Sequence, residues 1–225
     1  MEITVESVDL APVEGQLRFP IFPWWSYGTT VKRGLDLALA LTFLLCSLPI
    51  WALIVIAIKL DSPGTAFFSQ ERVGLRGRPF RFYKFRSMQD GADGAKVRVL
   101  HLNEVDGPVF KARTDPRVTR VGRLLRRTSL DELPQLINVV RGDMSLVGPR
   151  PPLPEEVANY RSSDMVRLAV RPGLTCWWQV RGRSDCDFDT WMAYDREYVY
   201  GMSLGIDMVI LLKTVWAVLS CRGAY

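Results

Sequence analysis

Histidine is almost missing from this chain: there is one, His101, in 225 residues. That argues against a His-built metal cage or a Ser-His-Asp relay. A lone histidine is most often structural or solvated, and His101 is read so. Cysteine is scarce too. Cys46, Cys176, Cys186 and Cys221 form no CxxC pair, and Cys46 lies in an apolar run. This is neither a disulfide framework nor a zinc site, and it fits a reducing, cytoplasmic setting. Internal repeats and low-complexity segments are absent. So are helix-turn-helix, zinc-finger and RNP signatures, which speaks against nucleic acid as the partner.

Charge is missing where it matters most. From Leu37 to Ile58 no residue is charged, a run of 22. That length can span a bilayer as a helix. It starts too far in, runs too long and lacks a small-residue cleavage site, so it is no secretory signal. Pro49 sits inside it, shortly after Ser47, and should kink the helix by deleting a backbone bond. A nearby hydroxyl can take up a freed carbonyl. Lys32 and Arg33 precede the run and Lys59 follows, so the positive-inside rule gives no crossing direction. The residues alone leave two readings open: a kinked spanning helix, or one that dips in and returns.

The net charge is +5, and it is concentrated. Arg72 to Arg127 carry 15 Lys/Arg against 5 Asp/Glu, which points to an anionic partner. Residues 1–30 are Pro- and aromatic-rich without a clean period. They read either as an arm on the membrane interface or as a disordered tail. Asp61-Ser-Pro-Gly64 is turn chemistry. Thr65–Gln70 and Pro79–Arg86 read as strands, the second alternating basic and aromatic residues around Lys84. Residues 87–108 look like a mobile loop around a short helix. Leu133–Val140 is expected to be helical, Gly142–Pro154 a loop and Glu155–Ala169 helical. Ser203–Ser220 is apolar but holds Asp207 and Lys213. It suits either an amphipathic helix on the bilayer surface or a core helix.

Three clusters carry candidate chemistry. In the first, Arg126 and Arg127 precede Ser129-Leu-Asp-Glu-Leu-Pro-Gln135. Ser129 and Glu132 match a capping box, a structural reading. Pro134 fits better if Asp131 is the N-cap, since a first-turn proline loses no needed N–H. That register frees Glu132 and sets both carboxylates at a helix N-terminus, where a phosphate would also bind. In the second, Gly142–Pro152, Arg150 stands between prolines on a stiff loop and can clamp a phosphate or simply be solvated. The third, Arg171–Arg183, mixes the donors Thr175, Gln179, Arg181 and Arg183 with Trp177 and Trp178. It suits stacking on a base or sugar, or interfacial anchoring.

Taken in order, these blocks resemble the bacterial sugar transferase family, the small monotopic phosphoglycosyl transferases. The match runs from about Lys32 to Tyr225. It is carried by Lys32-Arg-Gly-Leu-Asp36, Lys59-Leu-Asp-Ser-Pro-Gly64, Phe67-Phe-Ser-Gln-Glu-Arg72, Tyr83-Lys-Phe-Arg-Ser-Met88 and Thr114-Asp-Pro-Arg-Val-Thr119, then by the three clusters above. The closing Gly223-Ala-Tyr225 looks like the end of exopolysaccharide-initiating members. Family members often have Ser directly before the helix proline; here Leu48 intervenes. Where relatives often have Gly after Arg-Pro-Gly-x-Thr, this chain has Cys176.

The resemblance implies an α+β, mostly helical fold. It implies an irregular arm (1–30), a re-entrant membrane helix (31–60) centred on Ser47 and Pro49, and a cytoplasmic catalytic domain (61–225) ending in an interfacial helix. It implies that Asp131 is the nucleophile and that Glu132 shares Mg²⁺ with it. The expected reaction moves a hexose-1-phosphate from a UDP-sugar to a polyprenyl (undecaprenyl) phosphate through an aspartyl phospho-sugar, releasing UMP. Candidate phosphate and substrate contacts are Lys84, Arg126, Arg150, Arg171, Thr175, Gln179 and Arg183. The expected location is the bacterial inner membrane, facing the cytoplasm. A homodimer packed through the membrane helices is allowed, and nothing demands it. An N-acetylamino-sugar donor, a basic membrane-tethered binding module and a hydrolase using the same carboxylates remain alternatives.

Overall fold

The computed structural model describes residues 27–92, 94–104, 107–110, 112, 114–181 and 186–220. The expectations for most of the N-terminal arm, for Arg183 and for Gly223–Tyr225 lie outside the described residues. The fold is mostly helical with two small sheets.

One π-helical turn, Tyr27–Val31, leads into α1 (Lys32–Asp61). At 30 residues α1 would reach about 45 Å if straight. It runs through Pro49 without a break in helical assignment. Ser47 Oγ donates to Leu44 O at 3.0 Å and accepts from Trp51 Nε1 at 3.0 Å. The carbonyl that Pro49 deprives of a donor is that of residue 45, so the expected rescue falls one residue short. Ser62, in extended conformation, and Pro63 end the helix.

Both ends of α1 are tied to the same body. At its start, Lys32 Nζ meets Asp207 at 2.6 Å, the Arg33 guanidinium donates to the carbonyls of Val139 and Val140, and Asp36 accepts from Leu146 N. At its far end, Ile54 and Ile58 pack with Ala66, Phe85 and Leu125, and Asp61 accepts from Val121 N at 2.9 Å. Between these anchors, Phe43, Leu45, Leu48, Ile50 and Leu53 are exposed.

β1 (Phe67–Val73) and β2 (Pro79–Phe85) pair antiparallel, from Phe67 opposite Phe85 to Val73 opposite Pro79. Both expected strands are present, the first ending three residues later than read. Trp51 lays its ring edge on Phe85 at 5.2 Å, docking the second half of α1 on this hairpin. Met88 bridges Val118, after which α2 (Arg120–Thr128) and α3 (Gln135–Arg141) follow. Asn138, fully buried, donates to Arg81 O at 2.7 Å and accepts from Tyr83 N at 3.2 Å. This clamp fixes β2 against α3.

Gly142–Pro154 is not loop throughout. β3 (Ser145–Val147) lies within it and pairs parallel with β4 (Gly173–Thr175). The crossing needs bare backbone: a Cβ on Gly173 would come within 2.1 Å of Gly148 N. A pairing between segments so far apart leaves no local signature. The helix expected over Glu155–Ala169 also breaks. Only α4 (Pro154–Val157) and a 3₁₀ stretch, Ser162–Ala169, form. The Asn159 amide bonds Glu155 O at 2.7 Å, taking a carbonyl that helix continuation needs.

α5 (Trp177–Arg181), α6 (Phe188–Gly201) and α7 (Leu204–Leu219) are the last helices among the described residues. The main core gathers Ala40, Phe82, Leu136, Val139, Met144, Val147, Tyr198 and Ile210 from α1, β2, α3, β3, α6 and α7. Asp207 of α7 points inward and accepts from Lys32, Tyr27 and Tyr198. The opposite face, with Leu212, Val215, Trp216 and Leu219, is exposed. α7 therefore buries Asp207, exposes Lys213, and is otherwise half core helix and half apolar surface.

Candidate active site

A cavity of about 750 Å³ opens between α1, α7 and the turn that joins α2 to α3. One end is polar, lined by Lys84, Arg126, Ser129, Asp131 and Glu132. The walls are apolar: Leu39, Phe43 and Ile50 come from α1, and Met208, Leu211, Leu212 and Val215 from α7. Ser47, Thr175, Trp178 and Gln179 also line it.

The local chain explains the polar end. Thr119 caps α2 by accepting from Gly122 N at 2.9 Å. Ser129 ends α2 in the left-handed region, φ 56°, its N–H donating to Arg126 O and Leu125 O. Leu130–Glu132 then form a 3₁₀ turn, and α3 starts only at Gln135. Neither N-cap register read from the sequence is realised. Ser129 serves as a C-cap, and Pro134, at φ −62° and ψ −17°, is the residue that leads into α3. Lacking an N–H, Pro134 lets the chain pass from a 3₁₀ turn into a helix without leaving a donor unpaired. The expected neighbourhood survives, since both carboxylates stand just ahead of α3.

Asp131 is 7% exposed. Burial raises its pKa above the ordinary carboxylate range, while the charges of Lys84 and Arg126 pull it back down. Glu132 is less buried and shares the cavity wall. For Lys84 the balance is reversed: burial pushes its ammonium down to about 8, against the pull of Asp131. Arg126 donates from Nε to Ser87 Oγ at 3.0 Å, which fixes its direction. Asp131, Lys84 and Arg126 thus form a compact acid–base–cation group brought together from three segments.

The other expected contacts divide. Thr175 hydrogen-bonds Thr214 at 2.7 Å, and Gln179 accepts from Cys176 Sγ at 3.3 Å; both line the cavity. Arg150 and Arg171 do not line it. Arg150 pairs with Glu156 at 3.4 Å and lies over the Trp191 ring, while its carbonyl accepts from Arg167. Arg171 donates to Gly142 O at 3.0 Å, beside the end of α3. Prolines flank or adjoin both arginines and stiffen both segments. Arg183 lies outside the described residues. The α7 wall of the cavity was missed by the sequence reading. Its signal was the apolar run Ser203–Ser220 itself, broken only by Asp207 and Lys213.

No group of three or more His, Cys, Asp or Glu side chains that could hold a metal occurs among the described residues. Asp131 and Glu132 supply two hard oxygen donors beside a cationic pocket. Such a pair suits a magnesium ion whose remaining ligands are water and substrate phosphate.

The bacterial sugar transferase family model matches residues 27–221. The chain is 41% identical over 202 residues to the exopolysaccharide production protein ExoY of Rhizobium meliloti, covering 88% of this chain and 89% of that one. It is 45% identical over 194 residues to the galactosyl transferase CpsE of Streptococcus agalactiae, covering 86% of this chain and 43% of that protein. It is 40% identical over 204 residues to the UDP-glucose:undecaprenyl-phosphate glucose-1-phosphate transferase of Escherichia coli, covering 87% and 41%. The chain therefore spans nearly all of the first relative and less than half of the other two.

Proposed function

Because the chain belongs to the bacterial sugar transferase family, we propose that it moves a hexose-1-phosphate from a UDP-sugar to a polyprenyl phosphate at the cytoplasmic face of the inner membrane. The observation that carries this reading is the two-character cavity. Its polar end holds Asp131, Lys84 and Arg126, and its walls are the exposed apolar helices α1 and α7. A soluble nucleotide and an insoluble lipid phosphate need a meeting point of that composition. The two relatives with a sugar in their names differ, one galactose and one glucose. The hexose itself is left to experiment.

The proposed steps use the chain's own residues. Ionised Asp131 attacks the phosphorus that bears the sugar. The bond from that phosphorus to the bridging oxygen breaks, UMP leaves with that oxygen, and an aspartyl phospho-sugar remains. An oxygen of the polyprenyl phosphate then attacks the same phosphorus. The acyl phosphate bond breaks, Asp131 is restored, and a polyprenyl diphosphate sugar leaves. Lys84 and Arg126 neutralise charge on the phosphoryl oxygens, the main demand of phosphoryl transfer. When bound by Asp131 and Glu132, magnesium would add Lewis-acid charge neutralisation to theirs.

The membrane reading is monotopic. Both ends of α1 grip one domain, through Arg33 on α3 and through Asp61 on α2. A straight crossing would part those ends by the thickness of the bilayer.

The test is UMP release by the purified, lipid-solubilised protein with magnesium, polyprenyl phosphate and single UDP-sugars. We expect release with a hexose donor that depends on the lipid, and its loss in Asp131→Asn with membrane binding retained. Normal turnover by Asp131→Asn would sink the covalent scheme. Release of free sugar phosphate without a lipid acceptor would instead identify a hydrolase.

A further inference from the structure

We propose that the outer face of α2 is a second membrane contact, one that binds the headgroups of anionic phospholipids beside the cavity.

The seating of α2 is fixed by its inner face. Gly122 lies flush on the end of the hairpin, where an added Cβ would stand 1.9 Å from Ser87 O. Leu125, 3% exposed, packs with Ile54 and Ile58 of α1. The opposite face is then determined. It presents Arg120, Arg123, Leu124 and Arg127, spaced i, i+3, i+4 and i+7, and all four are exposed. Arg120 acts on Asp61. Among the described residues, the guanidinium groups of Arg123 and Arg127 form no ion pair.

A plain solvated face explains the arginines but not their company. Leu124, at the centre of the three, is 60% exposed. Leu60, 84% exposed, lies at the end of α1, one residue from the Asp61 that holds the start of α2. Exposed leucine flanked by exposed arginine is the composition of a helix lying in a lipid interface. The level is also right. α2 packs against the second half of α1, whose outward residues Leu53, Ile56 and Leu60 are bare and apolar. The arginine stems can follow that apolar layer while their heads reach phosphate. Nucleic acid is the weaker match, because nothing in a duplex backbone would cover Leu124 and Leu60. α2 runs directly into Ser129 and Asp131, so the contact would set the depth of the cavity's polar end.

This inference rests on the membrane reading of α1 and not on the reaction. The experiment is hydrogen exchange, followed by mass spectrometry, on the full chain in vesicles. One set is phosphatidylcholine alone, and the other contains phosphatidylglycerol. We expect the amides of Arg120–Thr128 to exchange more slowly in the anionic vesicles, by about fivefold for each arginine engaged. High salt should abolish the difference. Arg123→Gln/Arg127→Gln should exchange alike in both vesicles. Arg123→Lys/Arg127→Lys should keep the difference, because the charge remains and the fold is unaltered. Asp131→Asn should respond as the unaltered chain does, so loss of turnover leaves this test intact. Equal exchange of the unaltered chain in both vesicles overturns the proposal. So does protection of the same amides by duplex DNA that matches the effect of the anionic lipid.

Discussion

A buried carboxylate is stable as an anion only if something near it supplies positive charge. At Asp131 that charge comes from Lys84 and Arg126. The opposition gives the reaction a readable pH dependence. In the proposed mechanism Asp131 attacks only when ionised, and burial raises its pKa. Activity should therefore fall, as pH is lowered, before an ordinary carboxylate would protonate. In the same scheme Lys84 neutralises phosphate only when protonated, and burial pushes its pKa down to about 8. In the free enzyme, kcat/KM should therefore decline as pH rises through about 8. Lys84→Arg keeps the charge at all accessible pH, so its alkaline limb should move upward. A pH–rate profile in which that limb stays put would remove Lys84 from the chemistry. Thr175 is a different case. Thr214 donates to Ile210 O at 2.7 Å, so the proton between the two hydroxyls comes from Thr175. Its contribution to the cavity is a fixed wall.

At the scale of elements, the turn after α2 decides where Asp131 points. Ser129 adopts φ 56°, a conformation that costs a non-glycine residue about 1–2 kcal/mol. Glycine adopts it freely, and a β-branched side chain resists it. Ser129→Gly should fold normally and keep most of its activity. Ser129→Val should lose activity by tenfold or more, since about 1.4 kcal/mol of misplacement already costs that factor, while still binding membranes. Equal activity of the two variants would show that this turn does not position the carboxylate; turnover and vesicle flotation measure both. The hairpin is the other positioning element. Asn138 holds β2 by two hydrogen bonds to its backbone, and Lys84 follows one residue beyond the second. Alternation in Pro79–Arg86 made the strand legible, but the partner that holds it lies in another helix.

At the scale of the molecule, the telling fact is that both ends of one long apolar helix are held by the same domain. Lys32 is bound to Asp207 near the end of the chain, and Asp61 to Val121 in α2. If α1 enters and leaves the bilayer on one side, positions 30 and 59 face the same compartment. Thr30→Cys and Lys59→Cys, each made in a chain whose native cysteines are replaced, should both react with an impermeant maleimide from one face of sealed vesicles. Labelling from opposite faces would mean a spanning helix. The cavity follows from the same arrangement. Its walls are α1 and α7, and Lys32–Asp207 ties those two helices together.

The residues by themselves determined the local features. A charge-free run fixed a helix long and apolar enough to cross a membrane, alternation fixed the second strand, and turn chemistry at Asp61-Ser-Pro-Gly64 fixed where α1 ends. The order of motifs fixed the family. These are short-range consequences of periodicity, propensity and solvation, which a sequence displays directly. Only the tertiary structure decided which charges meet. It gave Asp131 to Lys84 and Arg126, Arg150 to Glu156, and Arg171 to the Gly142 carbonyl. It also joined β3 to β4 across a glycine crossing. Whether a basic residue serves a site or a scaffold depends on the burial and partners that distant segments supply, and no local pattern encodes those.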